Sequence, residues 1–230
     1  MRSWNSLNRG IVACRHCPRL VAHRELIAQL KRRQFQDSVY WGRPVTGFGD
    51  QRARLLVVGL APAAHGANRT GRIFTGDRSG DWLYDALHAT GFASQPTSVH
   101  KADGLALRDT FVTAIVRCVP PGNRPTPAEI GNCRVFLVEE LRRLSRLRVV
   151  VVLGQVALHG FLQAWAEYGG SVPSPRPRFG HGLVHRLDDE TSLVVSYHPS
   201  QQNTFTGKLT RPMLRAVFRH AARLLERRTD

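Results

Sequence analysis

Four cysteines, arranged as two pairs, are the residues of this sequence best suited to carry chemistry. Cys14 and Cys17 are separated by two residues, whereas Cys118 and Cys133 are separated by fourteen. A two-residue gap lets both thiolates of the first pair point at one centre, and the second pair then closes the site from elsewhere in the fold. The spacing therefore favours a four-cysteine metal or iron–sulfur site.

The spacing alone does not decide what such a site holds. Zinc ribbons use two tight pairs, and the second pair here is loose, so a four-iron, four-sulfur cluster fits at least as well. Disulfides are typical of secreted chains, and the first ten residues, MRSWNSLNRG, lack the apolar run of a signal peptide. Four free thiols packed as small apolar residues are the remaining alternative.

The charge balance points to a polyanionic partner. Lys and Arg number 33 and Asp and Glu 17, for a formal net charge of +16, and nearly all the positive residues are arginine. Arginine binds phosphate in a bidentate manner and stacks on bases, which suits nucleic acid. Solubility, a genomic preference for arginine or growth at high temperature would give the same composition.

Length and hydropathy predict a single domain spanning residues 1–230. Hydrophobic residues make up 42% of the chain, which is enough for a well-buried core. No stretch approaches the roughly 20 apolar residues that cross a bilayer, so we expect no membrane association and a cytoplasmic location.

Short apolar runs alternate with helical segments along the chain, which predicts an α/β fold with a parallel sheet between helical layers. Strands are predicted at residues 55–60, 111–116 and 149–153, with a hairpin at 183–187 and 193–197. Helices are predicted to begin at Pro18 and to cover about 79–90, 127–144, 154–165 and 210–228. A capping box at Thr126–Glu129 marks the start of the third of these helices.

Three polar, Gly- and Pro-rich loops follow the predicted strands, at residues 61–78, 118–127 and 198–207. In open α/β sheets the ligand crevice lies at the carboxyl ends of the strands, so we expect function to concentrate in these loops. The first loop contains Phe74 and Asp77, for which a core plug and a helix N-cap are the structural alternatives. His198 directly follows a strand and precedes proline, which favours an extended backbone that projects the imidazole; a structural histidine is the alternative.

Four motifs occur together in one order: the four cysteines, the loop GLAPAAHGANRTGRIFTGD, the loop RCVPPGNRPTP and the tripeptide HPS at residues 198–200. In this combination the chain resembles the uracil-DNA glycosylase superfamily, and within it the iron–sulfur branch called family 5 or type B. The resemblance runs from Cys14 to the terminal helix. Each motif alone is weak, and the four in order are specific.

The resemblance implies a three-layer α/β/α sandwich around a four-stranded, mainly parallel sheet. It implies that the cysteines ligate a structural [4Fe-4S] cluster. The first loop, with Gly59 and Ala61, would shape a base pocket in which Phe74 stacks on the extruded base. The HPS loop, ending at Ser200, would enter the minor groove with His198 facing the pocket. Asp77 and Asn123 match positions that this family uses around the site.

The chain departs from relatives of the family at two positions. Leu60 stands where the related iron–sulfur family 4 has an acid after the first glycine, and Ala114 stands where many members have an asparagine that reads uracil. These departures favour acceptance of other deaminated bases, including hypoxanthine.

The resemblance thus implies a DNA glycosylase that flips out and excises uracil. No lysine is obviously placed for Schiff-base chemistry, so we expect a monofunctional enzyme that leaves an abasic site, and we expect it to be a monomer. In the expected reaction His198 donates a hydrogen bond to the leaving base, and Asp77 stabilises the sugar cation or holds the water. Two alternatives stay open on charge and cysteines alone. One is a non-catalytic nucleic-acid-binding protein with a structural zinc or iron–sulfur site, and the other is a redox protein.

Overall fold

The computed structural model of the protein describes residues 3–226, which contain one six-stranded sheet with helices on both faces. The strands are β1 (Phe48–Gly49), β2 (Leu55–Gly59), β3 (Thr110–Ala114), β4 (Val149–Leu153), β5 (Val184–Arg186) and β6 (Ser192–Ser196). Their order across the sheet is β1-β3-β2-β4-β6-β5. The central four strands are parallel, as predicted, but the short antiparallel edge strands β1 and β5 extend the expected four-stranded sheet to six. The predicted hairpin is confirmed as the antiparallel pair of β5 with β6.

The helices are α1 (Trp4–Ala13), α2 (Pro18–Leu30), α3 (Ala67–Thr70), α4 (Arg78–His88), α5 (Pro127–Arg143), α6 (Gln155–Tyr168), α7 (Gln201–Phe205) and α8 (Arg211–Glu226). The predicted capping box is formed, because the hydroxyl of Thr126 accepts the Glu129 N–H and the Glu129 carboxylate accepts the Thr126 N–H. No helix within residues 3–226 is long and apolar enough to cross a membrane.

Three helices and one strand were not predicted. α3 and α7 are single turns inside the first and third functional loops, and β1 is only two residues long, so none has a periodic pattern to detect. α1 buries only Leu7 and Ile11, which is too little for a periodicity argument. The terminal helix was predicted to reach Arg228, a position that lies outside the described residues.

The sheet separates two hydrophobic clusters, as a three-layer sandwich requires. Along β2 the side chains of Leu55 and Val57 enter one cluster, and those of Leu56 and Val58 enter the other. Helices α4 and α8 cover the first face, and α5 and α6 cover the second. Because both faces are covered, every residue of the four central strands is buried, which explains the continuous apolar runs of β2 and β4.

The register brings the carboxyl ends of the four parallel strands to one edge. Gly59 at the end of β2 pairs with Ala114 at the end of β3, and Leu153 at the end of β4 pairs with Ser196 at the end of β6. The loops that follow β2, β3 and β6 therefore leave the sheet side by side.

A buried ion pair fastens β3 and its following loop to α5. Arg117 Nη2 lies 2.6 Å from Glu140 Oε2, and the same carboxylate oxygen accepts the Thr113 hydroxyl at 2.7 Å. The two charged side chains are 2% and 0% exposed, so water cannot substitute for either partner. Removing one partner of such a pair is far more destabilising than the pair itself is stabilising.

We expect Glu140→Ala to lower the free energy of unfolding by about 3–5 kcal/mol, because it leaves the guanidinium of Arg117 buried and unpaired. Urea denaturation followed by circular dichroism measures the change. Glu190→Ala is the matched control: this carboxylate is 70% exposed and pairs with Arg148 at 2.8 Å, so a loss below about 1 kcal/mol is expected. Similar small losses in both variants would contradict a structural role for the buried pair.

Candidate functional site

A cavity of about 570 Å³ opens at the carboxyl edge of the sheet, where the three loops meet. Six of the seven predicted catalytic and substrate-binding residues line it: Ala61, Phe74, Asp77, Asn123, His198 and Ser200. The seventh, Gly59, lies behind Phe74. A Cβ at Gly59 would come within 2.6 Å of Phe74 Cζ, so the missing side chain is what makes room for the ring.

Phe74 presents an aromatic face to this cavity from a strained backbone. Its φ is +51°, in the left-handed region that residues with a Cβ rarely adopt. The ring is 6% exposed, and its centroid lies 5.9 Å from that of His198 with an interplanar angle of 32°. A role as a core plug alone is therefore inadequate for Phe74, because the ring also forms a wall of the cavity.

A buried polar network holds the backbone on both sides of Phe74. Arg72, which is 4% exposed, donates to Thr75 Oγ1 at 2.9 Å, to Ser98 Oγ at 2.8 Å and to both carboxylate oxygens of Asp103 at 2.8 and 2.7 Å. Thr75 and Ser98 are joined in turn by a 2.6 Å hydrogen bond. The network offsets the roughly 1–3 kcal/mol that a left-handed non-glycine residue costs.

Sequence reasoning missed this network. Arg72 and Asp103 are 31 residues apart, and Asp103 lies in a segment with no recognised motif. A buried arginine leaves no local signature, because its burial depends on a partner that only the fold supplies. No sequence signal in the chain would have identified the pair.

Asp77 is both the N-cap of α4 and a wall of the cavity. Its carboxylate accepts the Gly80 N–H at 3.0 Å, so the predicted N-cap alternative is correct without removing Asp77 from the site. A Cβ at Gly66 would overlap the carboxylate, which requires glycine at that position. Burial raises the pKa of Asp77, and the N–H groups of Ser79 and Gly80 oppose this rise.

His198 lies two residues beyond β6, where the sequence places it, with its carbonyl held by the Asn203 amide at 2.8 Å. Burial lowers the pKa of His198 from its ordinary value near 6.5 to about 4, so the imidazole is neutral at physiological pH. Within residues 3–226 neither ring nitrogen has a hydrogen-bond partner. The ring therefore brings a free, neutral N–H to the cavity.

Asn123 and Ser200 occupy opposite loops at the mouth of the cavity. Asn123 is exposed and ends a short 3₁₀ turn, Pro121–Asn123, with a φ of +57° that asparagine tolerates better than most residues. Ser200 caps α7 by accepting the Asn203 N–H at 3.4 Å. The exposed guanidiniums of Arg78 and Arg124 stand beside them, which makes the mouth electropositive.

The two positions that depart from the family pattern differ in location. Leu60 lines the cavity and gives its wall an apolar side chain where family 4 has an acid. Ala114 is 2% exposed and packs in the hydrophobic core at the end of β3. Neither side chain can hydrogen-bond to a base edge.

The four cysteines line a second, smaller cavity, between α1, α2, the loop after β3 and α5: Cys14, Cys17, Cys118 and Cys133. Cys118 and Cys133 are buried, whereas Cys14 and Cys17 are partly exposed. None of the four is in a disulfide. No group of three or more His, Cys, Asp or Glu side chains within the described chain is arranged to hold a single metal ion.

The surroundings of the thiols suit an anionic group. Three nitrogen donors point at three of the sulfurs: Arg24 Nη1 at Cys118 Sγ (3.0 Å), the Arg117 N–H at Cys133 Sγ (3.2 Å) and Asn132 Nδ2 at Cys17 Sγ (3.6 Å). Arg24 is 2% exposed, and its Nε has no partner. Glu25 Oε1 lies 3.8 Å from Arg24 Nη2, and thiolates, or a cluster that they ligate, would place further negative charge beside this buried cation.

Comparisons with known proteins match most of the chain. The family model described as the uracil DNA glycosylase superfamily matches residues 46–222. A type-5 uracil-DNA glycosylase of Mycobacterium tuberculosis is 54% identical over 219 residues, which cover 95% of this chain and 80% of the relative. Proteins of the same name from Mycobacterium leprae and Thermus thermophilus are 52% and 49% identical, over 95% and 93% of this chain and 94% of each relative.

The lowered pKa of His198 is directly measurable. We expect its ring carbon resonances to stay those of a neutral imidazole from pH 8 to about 5 and to reach half-protonation near pH 4. Because the unfolded chain binds this proton near pH 6.5, the free energy of unfolding should fall as the pH decreases from about 6.5 towards 4. His198→Gln should lack that part of the decrease. A His198 resonance that titrates near 6.5 would show that the ring is not buried in this way.

Proposed function

The chain belongs to the uracil-DNA glycosylase superfamily, and we propose that it is a DNA repair enzyme that flips uracil out of DNA and hydrolyses its N-glycosidic bond, leaving an abasic site. The family model covers residues 46–222, and relatives named type-5 uracil-DNA glycosylases are up to 54% identical over 95% of the chain. The observation that carries the chemistry is the cavity in which Phe74, Asp77 and His198 meet.

This cavity also separates the enzyme from its alternatives. A protein that only binds nucleic acid needs a basic surface, which the charge of +16 provides, but it does not need a half-enclosed pocket at the strand ends. The redox alternative gives no reason for a histidine, an aspartate and an aromatic ring to converge away from the cysteines. Hydrolysis of a base–sugar bond uses all three.

Extrusion of the base is the first step. Flipping a nucleotide costs a few kcal/mol of lost stacking and pairing, and the cost is smallest for a mismatch such as U·G. Phe74 offers a stacking face that replaces part of the lost stacking, and the HPS loop with Ser200 fills the space that the base leaves. Arg78 and Arg124 at the mouth bind phosphates and set the register of the strand.

Base release then depends on stabilising the charge that develops as the bond breaks. Negative charge grows on the base, and the neutral N–H of His198 donates to a carbonyl oxygen of the leaving group. A neutral imidazole can donate this hydrogen bond without first being protonated. It stays neutral across physiological pH, because the pKa of this histidine is about 4. Removing one donor of this kind typically reduces the rate by about 10²–10³.

Positive charge grows on the sugar at the same time. Asp77 lies in the cavity wall, where a carboxylate stabilises an oxocarbenium-like sugar or positions the water that attacks it. Burial leaves the Asp77 carboxylate poorly solvated, which raises its pKa. In this environment its negative charge interacts strongly with a nearby cation. Asn123, opposite, supplies a neutral amide to the base or the water.

The apolar wall at Leu60 and the absence of a base-reading asparagine at Ala114 extend the substrate range. A pocket with fewer fixed donors discriminates less between bases of similar shape. We therefore include other deaminated bases, such as hypoxanthine, among the substrates. No lysine lines the cavity as described, which fits hydrolysis rather than Schiff-base chemistry and hence a monofunctional enzyme. That the enzyme is monomeric and cytoplasmic stays a prediction.

The four cysteines are proposed to ligate a [4Fe-4S] cluster. Four thiols from three segments line one cavity, and nitrogen donors face three of the sulfurs, as they do around ligated clusters. When bound, the cluster supplies structural cross-linking and no step of the hydrolysis. Its ligands come from three distant segments, so it would tie α1 and α2 to α5 and to the loop after β3.

The excision assay tests the function, with Asp77→Asn as the informative variant. Asparagine caps a helix as well as aspartate does, so the substitution removes the charge and keeps α4 intact. We expect the wild-type protein to release uracil from U·G, U·A and single-stranded oligonucleotides. In single-turnover reactions Asp77→Asn should be slower by about 10²-fold or more, with an unchanged thermal midpoint. No release by wild-type, cluster-loaded protein would overturn the proposed function, and a wild-type rate in the variant would reduce Asp77 to a helix cap.

Iron and sulfide analysis tests the cofactor. Protein purified without oxygen should contain roughly four iron and four sulfide per chain and no stoichiometric zinc. Cys17→Ser should lower the iron content and expose residues 3–30 to limited proteolysis, because the N-terminal helices lose an anchor. Ser145→Cys, which adds a thiol at an exposed position away from the site, is the control and should change neither. Stoichiometric zinc, or an iron-free protein with a protected N-terminus, would contradict the proposal.

A further inference from the structure

A cavity of about 810 Å³, larger than the one that holds Phe74 and His198, lies elsewhere in the described chain. It lies between the two N-terminal helices and the segments around Trp41, Gly71 and Lys101. We call it the basic groove, because its lining includes five cationic side chains: Arg9, Arg15, Arg24, Arg43 and Lys101. Its one acidic residue, Glu25, is bound to Arg15 at 2.7 Å.

Three of these cations are available to a ligand. Arg9, Arg43 and Lys101 are exposed, and none has an acidic partner within residues 3–226. Unpaired like charges repel one another, so their convergence on one groove costs free energy in the absence of an anion. Such an arrangement is typical of a surface that binds a polyanion.

Trp41 fixes the direction of two of the cations. Its indole N–H donates to the Pro44 carbonyl at 3.1 Å, which holds the ring in place. Lys101 Nζ lies 5.0 Å and Arg43 Cζ 5.8 Å from the ring centroid, within the range of cation–π attraction. The ring therefore restricts the side chains of Lys101 and Arg43 in the free protein, so they lose less conformational entropy when an anion binds.

The basic groove lies within a short distance of the base cavity along the chain. Gly71 lines the groove, and a Cβ there would come within 3.0 Å of the Trp41 ring. Phe74 follows three residues later and Asp77 six residues later, so the Cα of Gly71 lies within about 11 Å and about 22 Å of theirs. One strand of DNA advances about 3.4 Å per nucleotide, so the part of the groove at Gly71 lies within about six nucleotides of a base held beside Asp77.

We propose that the basic groove binds phosphates of the DNA strand that flanks the flipped nucleotide, as a second contact site separate from the base cavity. This inference rests on the proposed function, since it takes DNA as the ligand. Phosphates neutralise Arg9, Arg43 and Lys101, while Trp41 keeps the last two directed at the backbone. Because such contacts carry no sequence information, the groove adds affinity and register without restricting the sequence around the lesion.

A cycle that combines protein and DNA changes tests the groove. The double variant Arg43→Gln/Lys101→Gln removes two charges without changing a residue of the base cavity. The probe is a labelled duplex with a tetrahydrofuran abasic analogue, which cannot be cleaved, and single neutral methylphosphonate linkages scan about six positions on each side of it. Fluorescence anisotropy over a range of salt concentrations gives the affinity and its salt dependence. Arg146→Gln, at an exposed site in the loop that enters the amino end of β4, is the matched control.

We expect the double variant to bind the unmodified duplex about threefold or more weakly and to lower the salt slope by about 2, one per lost phosphate contact. At one cluster of positions a methylphosphonate should weaken DNA binding by the wild-type protein and by Arg146→Gln. It should have little effect on binding by the double variant, because that variant already lacks the contact. Equal salt slopes in all three proteins, or methylphosphonate effects that are the same in all three, would contradict the proposal that the groove binds DNA phosphates.

The same measurements separate this inference from the proposed function. Binding does not require excision. If the double variant lost its sensitivity to the methylphosphonates but the wild-type protein released no uracil, the result would support the phosphate-binding groove and contradict the glycosylase activity. If the wild-type protein released uracil but the methylphosphonates had the same effect on all three proteins, the result would support the glycosylase activity and contradict the phosphate-binding groove. The double variant should reach the wild-type plateau rate at saturating DNA, since neither residue lies in the base cavity.

Discussion

The in-register pairing of four buried parallel strands is the constraint on which the site depends. Gly59, Ala114, Leu153 and Ser196 end their strands level with one another, so the loops that follow leave the sheet at the same height. A shift of one residue in any pair would turn the core side chains of that strand to the opposite layer. Because helices cover both faces, such a shift would expose or misplace core side chains, so the register holds the starting points of the loops that carry Phe74, Asp77 and His198.

Burial at that edge sets the chemical character of the side chains as much as their positions. The same low-polarity environment lowers the pKa of His198 and raises that of Asp77, so each resists the charge it would carry in water. A neutral donor and a poorly solvated carboxylate suit a bond that breaks with opposite charges on its two halves. The hydrogen bonds around Arg72 hold the left-handed backbone of Phe74 in place, and with it the ring that forms a wall of the cavity.

The sequence predicts the features that are local and misses those that need the fold. The run Val149–Leu153 is recognisable because both of its faces are buried, and Thr126 because a capping box is complete within four residues. The convergence of Asp77, Asn123 and His198 came from the resemblance to a family, and spacing alone left each with a structural alternative. The pairing of Arg72 with Asp103 and the basic groove around Trp41 join segments about 30 or more residues apart, so no local pattern announces either.

The tight fit of Phe74 limits how this pocket could be redesigned. Its ring touches the space reserved by Gly59, and its carbonyl lies where a Cβ on Gly80 would have to go, so a substitution at any of these three positions disturbs the other two. Leu60 and Ala61 line the same cavity with side chains that make no hydrogen bond. A combinatorial library intended to change which damaged bases are accepted therefore has more freedom at residues 60 and 61 than at Phe74.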